Sequence, residues 1–167
     1  MNFRLAERKD LPKIKRVFKK IVDHMYKNNI PIWDDIFPCD FFEEDIETRH
    51  LYLLEDGETV VAALALYDSN EGESYIRWQD TKEKALYINR FGVNVDYLRQ
   101  GIGGVMLKYA MEVAKQKGVG SLRLFVVEIN KPAINLYVKH GFKQAEGVYE
   151  EHIEDYILRE YGFELKI

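Results

Sequence analysis

Short apolar runs of strand length alternate along this chain with longer stretches whose apolar residues recur every three or four positions. Thr59–Tyr67 (TVVAALALY), Ala85–Val95 (ALYINRFGVNV) and Ser121–Val127 (SLRLFVV) read as strands. Leu11–Met25, Ile102–Val113 and the stretch after Asn130 carry helical spacing, and a shorter helix is expected from Asp40 to about Arg49. Phe3–Ala6 reads as a first strand. Leu51–Glu55 forms a hairpin with Thr59–Tyr67 across the Asp56-Gly57 turn. Phe142–Tyr149 and a stretch near Tyr156–Leu158 read as closing strands. The order β-α-α-β-β-β-α-β-α-β-β predicts one mixed α/β domain over residues 1–167. Local punctuation agrees: Asp10 stands where an N-cap belongs with Pro12 in the first turn, Asn130 and Pro132 repeat that arrangement, and Gly141 stops the last helix. Asp68–Glu83 is polar and reads as a loop or as ragged strand ends around Tyr75–Trp78. Gly92, inside a strand, predicts a bulge or a close backbone approach.

No apolar run approaches the roughly 20 residues of a membrane helix, and the opening MNFRLAERKD lacks the apolar core of a secretory signal. Cys39 is the only cysteine, so no internal disulfide forms, which fits a cytoplasmic protein. The net charge of −4 disfavours nucleic acid as a partner. A small anionic ligand has to be captured by a local site rather than by the overall field.

Such a site is written into VNVDYLRQGIGGVMLKYAMEVAKQKG, Val93–Gly118, where Gly101, Gly103 and Gly104 stand at a helix entrance. Glycine inside a helix costs about 0.8–1.0 kcal/mol relative to alanine. A backbone that must be approached closely explains the expense, because helix N-termini present N–H groups and partial positive charge to phosphates. A P-loop would need Gly-Lys-Ser/Thr, and Gly104-Val105 follow Gly103 instead. A dinucleotide fingerprint would need a third glycine where Met106 stands.

LRQGIGG, Leu98–Gly104, resembles the phosphate-binding signature of the GNAT acetyltransferase family, Arg/Gln-x-x-Gly-x-Gly/Ala, with Leu98 in place of the Arg or Gln. NKPAINLYVKHGF, Asn130–Phe142, is similar to a second family segment, with Asn130, Ala133, Leu136, Tyr137, Gly141 and Phe142 in register. The resemblance implies a mixed, mostly antiparallel sheet flanked by helices, its central strands splayed into an acetyl-CoA cleft. It implies acetyl-CoA as co-substrate and direct acetyl transfer to the primary amine of a small or peptide acceptor. In that frame Arg99, Gln100, Gly101, Ile102, Gly103 and Gly104 hold the pyrophosphate. Val93, Asn94 and Val95 offer backbone to the pantetheine arm, and Asn130, Ala133 and Lys139 add contacts. Tyr137 is the catalytic residue, hydrogen bonding to the departing thiolate. A catalytically inactive CoA-binding module is the alternative.

The general base is open: Leu86–Gly92 has no acid, and Glu128, Asp80, Glu83, His152 or a water chain could serve. No histidine or cysteine spacing implies a metal. Acceptor contacts are expected from Trp33, Asp34 and Asp35 in NIPIWDDIFP, where an indole beside two carboxylates suits a cation, and from Trp78. A homodimer is the form of self-association to expect.

Overall fold

The computed structural model describes residues 1–167. The strands are β1 (Asn2–Leu5), β2 (Leu51–Asp56), β3 (Thr59–Tyr67), β4 (Ala85–Val93), β5 (Ser121–Val127), β6 (Lys143–Ile153) and β7 (Tyr156–Lys166). The helices are α1 (Leu11–Lys27), α2 (Phe42–Glu47), α3 (Ile102–Gln116) and α4 (Lys131–Lys139). The strands make one open mixed sheet in the order β1-β2-β3-β4-β5-β7-β6. β4 and β5 are parallel, which requires a crossover, and α3 supplies it. The pairs β1–β2, β2–β3, β5–β7 and β6–β7 are antiparallel. The β4–β5 register runs from Ala85 opposite Ser121 to Ile88 opposite Leu124, and both strands continue past it. No helix is long and apolar enough to cross a membrane.

The chain divides into two compact units. The first is Met1–Leu66 with Arg90–Tyr109. Its core includes the buried face of α1, where Ile14, Val17, Phe18, Ile21 and Val22 leave water; each such side chain contributes about 1.5–3 kcal/mol on burial. Gly92 admits this helix: a Cβ there would lie 2.7 Å from the Phe18 ring and 2.8 Å from Ile21 Cδ1. Of the two readings the sequence allows for Gly92, close approach is the one these distances explain. Asp10 occupies the cap position of α1 but makes no side-chain cap bond. Its carboxylate instead accepts the Glu7 N–H and a two-pronged contact from Arg4, because the preceding 3-10 turn and β1 bring those donors closer.

The second unit is Tyr67–Asn89 with Ala110–Ile167. Ile76, Trp78, Ala85, Tyr87 and Ala145 are buried together, with Phe125 against them. The closing strands are longer than the sequence pattern implies, 11 residues each. Charged residues, among them the adjacent pairs Glu150-Glu151 and Arg159-Glu160, interrupt their apolar signal, and pairing from Lys143–Glu164 to Ile153–Tyr156 holds them as a ribbon. Within Asp68–Glu83 the chain makes a 3-10 turn at Glu73–Tyr75 and a single bridge from Arg77 to Glu146.

Candidate active site

In the first unit the strand leading toward α3 is irregular for a stated reason. Arg90 takes φ +49, a left-handed conformation that costs a residue with a side chain about 1–3 kcal/mol. Its guanidinium grips Asp45 in α2 through Nε to Oδ2 at 2.6 Å and Nη2 to Oδ1 at 2.5 Å, and lies 5.6 Å over the Phe41 ring. Asp45 is 1% exposed, so the carboxylate of this bidentate pair is buried. Three residues on, β4 gives way to a 3-10 turn at Val95–Tyr97. Asn94 organises the change. Its N–H donates to Val61 O, its Nδ2 donates to Val60 O, and its Oδ1 accepts from Asp96 N. Asn94 therefore spends these groups on β3 and the turn, while Val93 and Val95 flank it.

The glycine cluster then resolves into two jobs. Gly101 sits at φ +75, and a Cβ there would meet nothing within 4 Å, so it is the conformation and not space that selects glycine. Its carbonyl accepts Val105 N at 3.2 Å, which makes it the residue before the first helical turn. Ile102, Gly103 and Gly104 follow within that turn, where helix geometry gives backbone N–H groups no intrahelical acceptor. Arg99, also at positive φ (+61), and Gln100 are exposed beside this mouth. Leu98 is extended and 40% exposed.

The same unit contains the expected acceptor stretch. Trp33 is half-buried, stacked on Phe18 at 5.7 Å with Phe37 at its edge. Asp34 Oδ1 accepts the N–H groups of Ile36 and Phe37, both at 2.8 Å. Asp34, Asp35, Cys39 and Asp40 line a hollow of about 270 Å³, but Lys15 and Lys19 line it too. The carboxylates thus face the protein's own cations as much as any incoming one. Burial pushes the Cys39 thiol up, away from the thiolate form.

In the second unit, Asn130 caps α4: its Oδ1 accepts Ala133 N at 3.3 Å. The Ala133 N–H is therefore engaged inside the helix. Lys139 closes the same helix about 13 Å away at 1.5 Å per residue, so it and Asn130 act at different points. Tyr137 is buried on α4, its ring 5.8 Å from Phe142 and 6.5 Å from Phe163. Burial raises its phenol above the ordinary value, so it is a neutral hydroxyl across the physiological range. Trp78 is 9% exposed: its Nε1 donates to Glu73 O at 2.9 Å, and the Arg123 guanidinium lies 4.6 Å over its ring. Those contacts occupy its indole N–H and one face of its ring. Arg123 itself is held by Glu164 and the Tyr87 hydroxyl, both at 3.0 Å, and by Asp80 O.

Among the acids left open by the sequence, Glu128 meets Arg159 and the Tyr161 hydroxyl, both at 3.3 Å. Asp80 caps a turn through Lys82 N and Glu83 N, while Glu83 and His152 are exposed. Sequence reasoning passes over Glu160 of β7. Burial, reinforced by neighbouring Glu151, raises its carboxyl to about 7. The only sequence trace of it is its place in the two-residue alternation Leu158, Glu160, Gly162, Glu164. No group of three or more His, Cys, Asp or Glu side chains is placed to hold a metal ion.

A family model described as "Acetyltransferase (GNAT) family" matches residues 18–142. The chain is 28% identical over 169 residues to "Putative phosphinothricin acetyltransferase YwnH" of Bacillus subtilis (strain 168), covering 99% of both. It is 32% identical over 93 residues to the [Ribosomal protein bS18]-alanine N-acetyltransferase of Escherichia coli (strain K12), covering 47% of this chain and 62% of that protein. The crystal structure of a GNAT-family acetyltransferase from Streptococcus agalactiae 2603 has the same fold, with a TM-score of 0.79 at 16% identity over 97% of this chain and 94% of that one.

Proposed function

The chain belongs to the acetyltransferase (GNAT) family, and from that premise we propose that it moves an acetyl group directly from acetyl-CoA to a primary amine. The mouth of α3 carries the reading. A left-handed glycine, a first turn containing Gly103 and Gly104, and exposed Arg99 and Gln100 form a receptor suited to a diphosphate. Backbone groups of Val93 and Val95 serve the pantetheine arm. The Nδ2 of Asn130 adds a donor, because Oδ1 is occupied by the cap.

Tyr137 acts on the leaving sulfur as a hydrogen-bond donor rather than as a proton source. A thiol has a pKa near 8.5 and a tyrosine near 10. Burial lifts Tyr137 further, so full transfer is uphill by more than about 2 kcal/mol. A hydrogen bond that strengthens as charge builds on sulfur lowers the barrier without that cost. The reducing cytoplasm suits the lone thiol of Cys39.

The test is release of CoA thiol from acetyl-CoA in the presence of phosphinothricin, lysine, spermidine or an alanine-initiated peptide. Acceptor-dependent release with one of them is expected. Acetyl-CoA binding without release from any of them would overturn the transferase reading.

A further inference from the structure

The central-strand stretch Leu86–Gly92 offers no acid, and Glu160 of β7 is a candidate for that role. β4 and β5 stay in register only to Leu124, while β5 goes on through Phe125, Val126 and Val127, opposite Gly162, Tyr161 and Glu160 of β7. Glu160 is therefore one cross-strand step, about 5 Å between Cβ atoms, from the last residue of β5. The chain then turns directly into α4 and Tyr137. Alternation along β7 decides the face. Phe163, one of the odd positions, touches Tyr137. The even positions look the other way: a Cβ at Gly162 would meet Ile76 and Trp78. Tyr137 and Glu160 thus address the end of β5 from opposite faces of the sheet.

We propose that Glu160 is the general base of the acetyl transfer, taking a proton from the acceptor ammonium on the face opposite Tyr137. This assignment rests on the transferase reading above. The balance is simple. Glu160 removes one proton from R–NH3⁺ and later passes it to solvent. The amine nitrogen bonds to the thioester carbon, and the C–S bond breaks. A second nitrogen proton passes to the thiolate, which Tyr137 hydrogen bonds, leaving R–NH–CO–CH3 and CoA–SH. Deprotonation of the nucleophile and hydrogen bonding to the leaving sulfur then come from opposite faces of the sheet.

The surroundings fit a base that works near neutrality. Arg159, next along the strand, pairs with Glu128 and Glu150 and leaves Glu160 without an ion pair. The groups around it are Glu151 and Tyr149 of β6, with Glu71 and Tyr75 of the loop completing the cluster. All four are acidic or neutral, so burial and like charge hold the Glu160 carboxyl up at about 7. A carboxylate with that poise accepts a proton far more readily than an exposed one.

The experiment is the pH dependence of kcat/KM for thiol release, using acetyl-CoA and whichever member of the acceptor panel reacts fastest. Wild type should show an acid limb near pH 7. Glu160→Gln should lower kcat about 10²–10⁴-fold, abolish that limb, and leave acetyl-CoA affinity within twofold; Glu160→Asp should restore part of the rate. Glu151→Gln should move the limb to lower pH, since it removes the charge that raises Glu160. A Glu160→Gln variant that keeps the wild-type rate and limb refutes the base while the transferase reading stands. A wild type that binds acetyl-CoA and releases no thiol with any acceptor overturns both.

Discussion

Replacing Asp45 by Asn tests how strongly the irregular end of β4 is held. The change keeps the shape of the side chain and deletes the charge that Arg90 grips from two directions. The Asp45 side chain is 2% and the Arg90 side chain 13% exposed, so water compensates the guanidinium only in part. Breaking a buried pair from one side costs about 3–5 kcal/mol. For a chain of this length 1 kcal/mol moves Tm by about 2–4 °C, so the variant should melt about 6–20 °C lower. The effect should reach function too, because Arg90 holds its left-handed backbone three residues before Val93; the KM for acetyl-CoA should rise. Circular dichroism melts and urea midpoints measure the loss. A companion double variant, Asp45→Leu with Arg90→Met, separates charge from packing. It should recover most of the stability, since apolar replacement of a whole buried pair is often neutral. A loss under about 2 °C for Asp45→Asn, or a double variant as unstable as the sum of its parts, would refute the reasoning.

Acetyl-CoA at 100 times its Kd should stabilise the protein by about 2.7 kcal/mol, and Gly103→Val should abolish that shift in a thermal melt while the fold persists. Tyr137→Phe should reduce kcat by at least tenfold with acetyl-CoA affinity near normal, checked by thiol release and by calorimetry. Gly92→Ala should cost about 1–3 kcal/mol in urea unfolding, because its Cβ has to displace Phe18 and Ile21. The Glu160 carboxyl, raised on folding to about 7 from an unfolded value near 4.3, makes the folded state bind the extra proton. Stability should therefore fall as pH rises from about 4.3 to 7, by on the order of 2 kcal/mol. Glu160→Gln should flatten that fall in melts recorded across the range.

The element order and the opening of α3 were legible in the residues because both are local. Periodicity, the Asn130 cap and the glycines at 101, 103 and 104 act within a few positions of themselves. The GNAT motifs share that property: each is a single turn and the helix it starts. The sequence could name Asn94 as a backbone neighbour of the cofactor, but not that β3 would take its N–H and its carboxamide. Asn130 and Lys139 are legible as the two ends of one helix, because the cap and the Gly141 stop are both local signals. Trp33 and Trp78 both read as acceptor contacts in the sequence, which does not show that Glu73 takes the Trp78 N–H and that Arg123 covers its ring. Asp45 and Arg90 are 45 residues apart, and Arg123 and Glu164 41 apart, so no spacing rule joins them. Glu160 lies beyond the stretch near Tyr156–Leu158 that reads as a strand, with no local signal to mark it. Its high carboxyl comes from desolvation and from Glu151 on the neighbouring strand, and both of those exist only once β6 and β7 have paired and the strand has chosen which face to bury.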